Sequence, residues 1–98
     1  MVDYNRWQAT ARSAETMQMD PLPDKWRSFG WETREINGHD HQAIYEALSK
    51  PWHPERPLAV VANTVKGKGV PFIEDDNNWH YRSPNKDEFE SAARMLRK

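Results

Sequence analysis

Four stretches of the chain carry side chains whose types and spacing could do chemistry. The first is Thr64-Val65-Lys66-Gly67-Lys68-Gly69-Val70. Its glycines let backbone approach a phosphate or a cofactor ring closely, and its lysines add positive charge. The spacing and the Ser/Thr of a phosphate-cradling P-loop are missing, so a plain Gly-rich turn is the competing reading. The second is Asn77-Asn78-Trp79-His80-Tyr81-Arg82, where His80 between two aromatics is either a proton shuttle beside a phosphate or a packed anchor for its loop. The third is Asp3-Tyr4-Asn5-Arg6-Trp7. Asn amide oxygens and backbone carbonyls are the hard donors that Mg²⁺ or Ca²⁺ prefers, although the same run also reads as a surface turn. The fourth, His39-Asp40-His41, looks like a metal cluster at first sight. Residues two apart on a turn rarely converge on one ion, no third soft ligand is near, and Asp40 is better used as a helix cap.

These places need elements to hold them. Residues 1–4 read as a short strand end, and residues 5–19 as a long loop without a clean period. Asp20 is placed to cap a helix with Pro21 in its first turn; its core is expected over residues 24–29, with Trp26 and Phe29 on one face. Gly30 ends it in the left-handed conformation. Residues 31–36 alternate as a strand, Asn37-Gly38 turns, and Asp40 caps a helix over residues 41–49. Prolines at 51, 54 and 57 mark a loop. Leu58-Ala59-Val60-Val61-Ala62 is continuously apolar, as in a strand covered on both faces. A second long loop fills residues 64–85. Asn85, with Glu88 three residues on, caps a last helix over residues 86–97, with Phe89, Ala92, Ala93 and Leu96 on one side. Alternating helices and strands predict an α/β fold, a partial parallel sheet flanked by helices. Two strands and an edge fragment leave such a sheet incomplete.

Composition bounds the rest. Leu, Ile, Val and Phe number 15 of 98 residues, below the roughly 20% at which disorder becomes an option. Five Trp and a net charge of only −1 argue for folding instead, with a small core that is finished against a partner. The near-neutral charge offers no broad basic field for nucleic acid. No apolar run is long enough to span a membrane, and the first residues do not read as a signal peptide. There is no cysteine for a disulfide, a thiolate zinc site or a nucleophile. A cytoplasmic location is the expectation.

Taken in order, the motifs resemble transketolase, in the C-terminal half of its N-terminal, thiamine diphosphate-binding domain. The matching segments are Val2-Asp3-Tyr4-Asn5-Arg6, Pro21-Leu22-Pro23-Asp24-Lys25-Trp26-Arg27-Ser28-Phe29-Gly30-Trp31-Glu32, Ile36-Asn37-Gly38-His39-Asp40, Ala62-Asn63 running into the Thr64 loop, and Trp79-His80 followed by Pro84-Asn85. They cover nearly the whole chain, so residues 1–98 are expected to be one incomplete domain, completed by other chains. The resemblance implies thiamine diphosphate held through Mg²⁺ (or Ca²⁺). It implies Asn5 as a metal ligand, with the backbone carbonyl of Trp7 as another and Trp7 lying in the cofactor site. It further implies Val65 and Gly67 beside the cofactor, and His80 both beside the diphosphate and at the reacting carbons as a catalytic group. The reaction it implies is transfer of a two-carbon ketol unit from a ketose to an aldose.

The family pattern also marks departures. The family's metal-binding aspartate lies in a Gly-Asp-Gly segment upstream of the position of Val2, and its pyrimidine-activating glutamate lies in the following domain. Neither is present here. The expected partners are therefore transketolase-like subunits that supply both, and the chain alone is expected to be inactive. The Met1 start fits an enzyme split over several chains. Tyr81 stands where the family has glycine, and Trp7 is bulkier than the usual aliphatic residue. Tyr81 opens a second reading, a subunit that decarboxylates and ligates a 2-oxo acid rather than acting on a sugar phosphate. A third is a non-catalytic assembly module.

Overall fold

The computed structural model describes residues 1–97; Lys98, the end of the expected segment, lies outside the described residues. Strands β1 (Val2–Tyr4), β2 (Glu32–Asn37) and β3 (Leu58–Asn63) form one parallel sheet in the order β1-β3-β2. Tyr4 and Asn37 both pair with Asn63, so the carboxyl ends of all three strands finish level. The apolar run predicted to be covered on both faces is the central strand, with Ala59, Val60, Val61 and Ala62 all buried.

Helix α2 (Leu22–Ser28) covers one face of the sheet and helix α3 (His41–Ser49) the other. The register puts Val2, Tyr4 and Val61 on one face, where Leu22 joins Tyr4 and Val61 in the buried cluster and Met19 and Trp26 pack around it. Arg34 and Ile36 lie on the opposite face and share a cleft with Ala43 and Ala47 of α3. Arg34 also donates to the carbonyls of Ala47, Lys50 and Pro51, satisfying acceptors that the end of α3 leaves open. The core is small: Val61 is the largest fully buried side chain among the described residues, and its burial contributes about 1.5–3 kcal/mol.

Helix ends follow local chemistry with one exception. Asp40 accepts the N–H groups of Gln42 and Ala43 at the start of α3. Asn85 and Glu88 form a reciprocal capping box on helix α4 (Lys86–Leu96). Gly30 takes a left-handed φ of 85° after α2. Asp20, however, does not cap α2: Pro21 holds the N-cap position, and the Asp20 carboxylate instead accepts the hydroxyl of Tyr4 at 3.0 Å. A tertiary hydrogen bond to a buried phenol took the carboxylate away from the helix.

Three further differences concern loops and faces. Residues 5–19 are not featureless: an antiparallel bridge joins Trp7 to Arg12, and one helical turn, α1 (Ser13–Thr16), follows. The loop of residues 64–85 contains a 3₁₀ turn, Asn77–His80. Trp26 is half-buried while Phe29, at 83% exposure, points to solvent, because Phe29 has already left the helix as its C-cap. Phe89 and Leu96 of α4 are also exposed.

Candidate functional site

Parallel sheets place ligand sites beyond the carboxyl ends of their strands. Here β1 leads into Asn5 and β3 leads into Thr64, and the pairing continues past the strands through Thr64 N–H to the Tyr4 carbonyl at 3.3 Å. The Thr64 hydroxyl also donates to the Asp3 carboxylate. The Asn5–Trp7 segment and the glycine loop are therefore neighbours by construction of the sheet.

The Asn5 side chain closes a tight turn, its Oδ1 accepting the Trp7 N–H at 3.0 Å. Arg6 between them takes a left-handed φ of 68° and lays its guanidinium over Tyr4, 4.5 Å from the ring centre. The bridge to Arg12 is closed by bonds from Ser13 N–H to Arg6 O and from Gln8 N–H to Ala11 O, each 2.8 Å. In such a pair the flanking residues carry the ladder bonds. Among the described residues no donor reaches the Trp7 carbonyl. Asn5 Oδ1 keeps a second lone pair. An amide oxygen and an unengaged carbonyl two residues apart match the hard donors Mg²⁺ takes, so these residues fit a share of a metal site. They do not make a whole one: no cluster of three or more His, Asp or Glu occurs among the described residues. In His39-Asp40-His41, His39 Nε2 is taken by the Val65 N–H and Asp40 Oδ1 by the cap of α3.

Val65 is over a third exposed, and its N–H donates to His39 Nε2 at 2.7 Å. His39 thus holds the loop after β3 from the end of β2, and its Nδ1 carries the proton when the ring is neutral. Gly67 has a φ of 73°, and a Cβ there would stand 2.5 Å from Ile73 Cγ2 and 2.9 Å from the Ile73 carbonyl. What requires glycine at this position is the loop's own fold on Ile73.

His80 ends the 3₁₀ turn, which Asp76 caps by accepting Asn78 N–H at 2.9 Å. Its ring is exposed and meets Tyr81 edge-on at 4.5 Å. Trp79 packs on Phe72 and under Arg82. The segment is tied to the loop after β1 by Asn77, whose Nδ2 donates to the carbonyls of Gln8 and Ala9 at 3.1 and 3.0 Å. Asn77 Oδ1 is buried and has no partner among the described residues, an open acceptor between the two loops. The structure so brings the Asn5–Trp7, Val65–Gly67 and His80 segments to one end of the sheet. It shows no direct hydrogen bond between Asn5 and His80 among the described residues.

Reading residues in order missed the groups that tie these loops together. Asp75 receives Arg12 through both carboxylate oxygens at 2.6 Å and the Trp7 indole N–H at 2.8 Å. The Arg12 guanidinium lies 3.7 Å from the centre of the Trp7 ring. The hydrogen bonds from Arg12, then that from the indole N–H, hold the Asp75 carboxyl below the ordinary carboxylate range. Nothing local signals a partnership between residues 63 apart; only the positive φ of 56° at Asp75 marks the spot.

A parallel sheet flanked by helices, with an amide–carbonyl turn and a glycine loop following neighbouring strands, defines an α/β layer, and the chain can be placed within that class. The family model described as "Transketolase, thiamine diphosphate binding domain" matches residues 2–96, and the chain belongs to that family. It is 36% identical to an apulose-4-phosphate transketolase subunit of Actinobacillus succinogenes over 97% of its own length and 34% of that protein. It is 32% identical to the apulose-4-phosphate transketolase subunit of Phocaeicola vulgatus, over 98% of the chain and 34% of that protein. A 6-deoxy-6-sulfo-D-fructose transketolase subunit of a Clostridium species is 33% identical over 98% of the chain and 35% of that protein. The chain thus spans about a third of the length of these curated relatives.

Proposed function

We propose that the chain is a component of a split transketolase-type enzyme and helps hold Mg²⁺ and thiamine diphosphate for ketol transfer from a ketose to an aldose. The observation that carries this reading is the Asn5–Trp7 turn. It offers an amide oxygen and an unengaged carbonyl at the carboxyl end of the sheet, in a chain of the thiamine diphosphate-binding family. The relatives' names support the division into subunits and point to ketose substrates with an anionic group, a phosphate or a sulfonate.

In this reading Asn5 Oδ1 and the Trp7 carbonyl supply part of the metal's ligands. The Gly-Asp-Gly aspartate and the pyrimidine domain lie outside residues 1–98, and the rest of the enzyme supplies them. Val65 and Gly67 shape the wall beside the cofactor, and His80 holds or moves a proton at the oxygen of the reacting sugar. Thiamine diphosphate, when bound, supplies the carbanion chemistry, and the protein contributes orientation and electrostatics. Tyr81, edge-on against His80, is the residue expected to alter substrate access on that side. The cytoplasm is the expected location of the assembly.

The test is to assemble the chain with its complementary subunits and measure thiamine diphosphate-dependent ketol transfer. The chain alone is expected to be inactive and the assembly active. Asn5→Ala is expected to weaken Mg²⁺-dependent cofactor binding by at least the roughly 10–100-fold that loss of an outer-shell partner costs. Unchanged binding in that variant would favour a purely structural module, and carbon dioxide release from a 2-oxo acid by the assembly would replace sugar transfer with decarboxylation.

A further inference from the structure

We propose that Asp75 is a positioning residue that sets the Asn5–Trp7 turn for the divalent cation and couples it to the segment carrying His80. The inference rests on the metal-side role of Asn5 and Trp7 and adds a residue that this role does not itself use. Asp75 engages both sides of the Trp7–Arg12 bridge. Its Oδ1 takes the Trp7 indole N–H and one Arg12 nitrogen, and its Oδ2 takes the other Arg12 nitrogen. Arg12 in turn covers the face of the Trp7 ring. The bulky residue whose carbonyl is a candidate ligand is therefore gripped at its ring edge and its ring face at once.

The backbone of Asp75 carries the coupling. Its N–H donates to the Lys66 carbonyl at 2.9 Å, which ties it to the glycine loop after β3. Its left-handed φ turns the chain toward the 3₁₀ turn that ends at His80. Asn77 then clamps the same turn onto Gln8 and Ala9. Displacing the carboxylate should move the Trp7 carbonyl and loosen the His80 segment together. Partners that orient a metal ligand commonly change affinity by 10–100-fold when removed.

The experiment measures Mg²⁺ half-saturation of thiamine diphosphate binding by calorimetry in the assembled complex, well below its unfolding temperature. Asp75→Ala is expected to raise the Mg²⁺ requirement by about tenfold. Asp75→Asn, which still accepts from the indole, should rescue part of that loss, and Trp7→Phe, which keeps the carbonyl but loses the N–H, should reproduce part of it. Should Asp75→Ala fail to assemble, the Asn and Phe variants decide alone. A merely structural Asp75 would lower thermal stability and leave the Mg²⁺ requirement where it was, overturning the proposal. Asn5→Ala is the control: if it too leaves the requirement unchanged, the metal-side reading fails, whereas a shift in Asn5→Ala with none in the Asp75 variants refutes the positioning role only.

Discussion

The imidazole Nε2 of His39 accepts the backbone N–H of Val65 at 2.7 Å, joining the loop after β2 to the loop after β3. His39 is itself set by Asn37, whose Oδ1 accepts the His39 N–H at 3.0 Å. His39→Ala should release the Val65 amide at a loss of about 1 kcal/mol, since water can replace the acceptor at this exposed site. Hydrogen exchange at Val65 should speed up while exchange in β3 stays slow. His39→Gln should retain part of the protection, and equal exchange in all three proteins would show the bond to be idle.

Two glycines separate backbone strain from crowding. Gly30 and Gly67 both have positive φ, but among the described residues a Cβ at Gly30 meets nothing within 4 Å whereas one at Gly67 meets Ile73 side chain and backbone. Gly30→Ala should therefore lose only about 1–2 kcal/mol from the left-handed conformation. Gly67→Ala should lose about 2–4 kcal/mol, because backbone at Ile73 must also shift. Denaturant unfolding of the two variants in the assembled protein gives the comparison, and equal losses would remove the steric argument.

Tyr4 makes stability depend on alkaline pH. Burial first, and then the hydrogen bond to Asp20, push the phenol above its ordinary value of 10.0. A raised value in the folded state contributes stability that is fully present below pH 10.0 and is lost as pH rises through the folded value. Tyr4→Phe should lose about 1 kcal/mol at neutral pH with the hydrogen bond and flatten the decline above pH 10. Unfolding free energies measured across that range check both parts; a decline as steep in the Phe variant would assign it to other groups.

The capping box on α4 provides an acid-side test. The Asn85 N–H, more than the neighbouring Arg82, holds the Glu88 carboxyl below its ordinary value of 4.5. Its contribution is present above pH 4.5 and is lost as pH falls through the lower folded value. Asn85→Ala should destabilise the helix by about 1 kcal/mol at neutral pH. Faster exchange of the Glu88 and Phe89 amides, with α3 unaffected, is the expected signature.

Features decided within one or two turns of chain were readable before any fold was known. Asp40 and Asn85 cap helices because their acceptors lie next to N–H groups two or three residues on. The run Leu58–Asn63 became the central strand because only a position covered on both faces suits so many consecutive apolar side chains. The motifs around Asn5, the Thr64 loop and Trp79-His80 were likewise enough to reach the family, since family membership is carried by residue types and order.

Asp20 and Asp75 show where one-dimensional reading stops. Asp20 had a plausible local role as a cap and Asp75 had none, and each is taken by a partner 16 or 63 positions away. Those pairings exist because β3 lies between β1 and β2, which brings three carboxyl ends and their loops to one place. Cap bonds form within a single turn, so they can be inferred from neighbours. The Asp75 grip on Trp7 and Arg12 and the His39 bond to Val65 require long loops to be closed first. Only the folded sheet closes them, and so only the folded sheet chooses the partners.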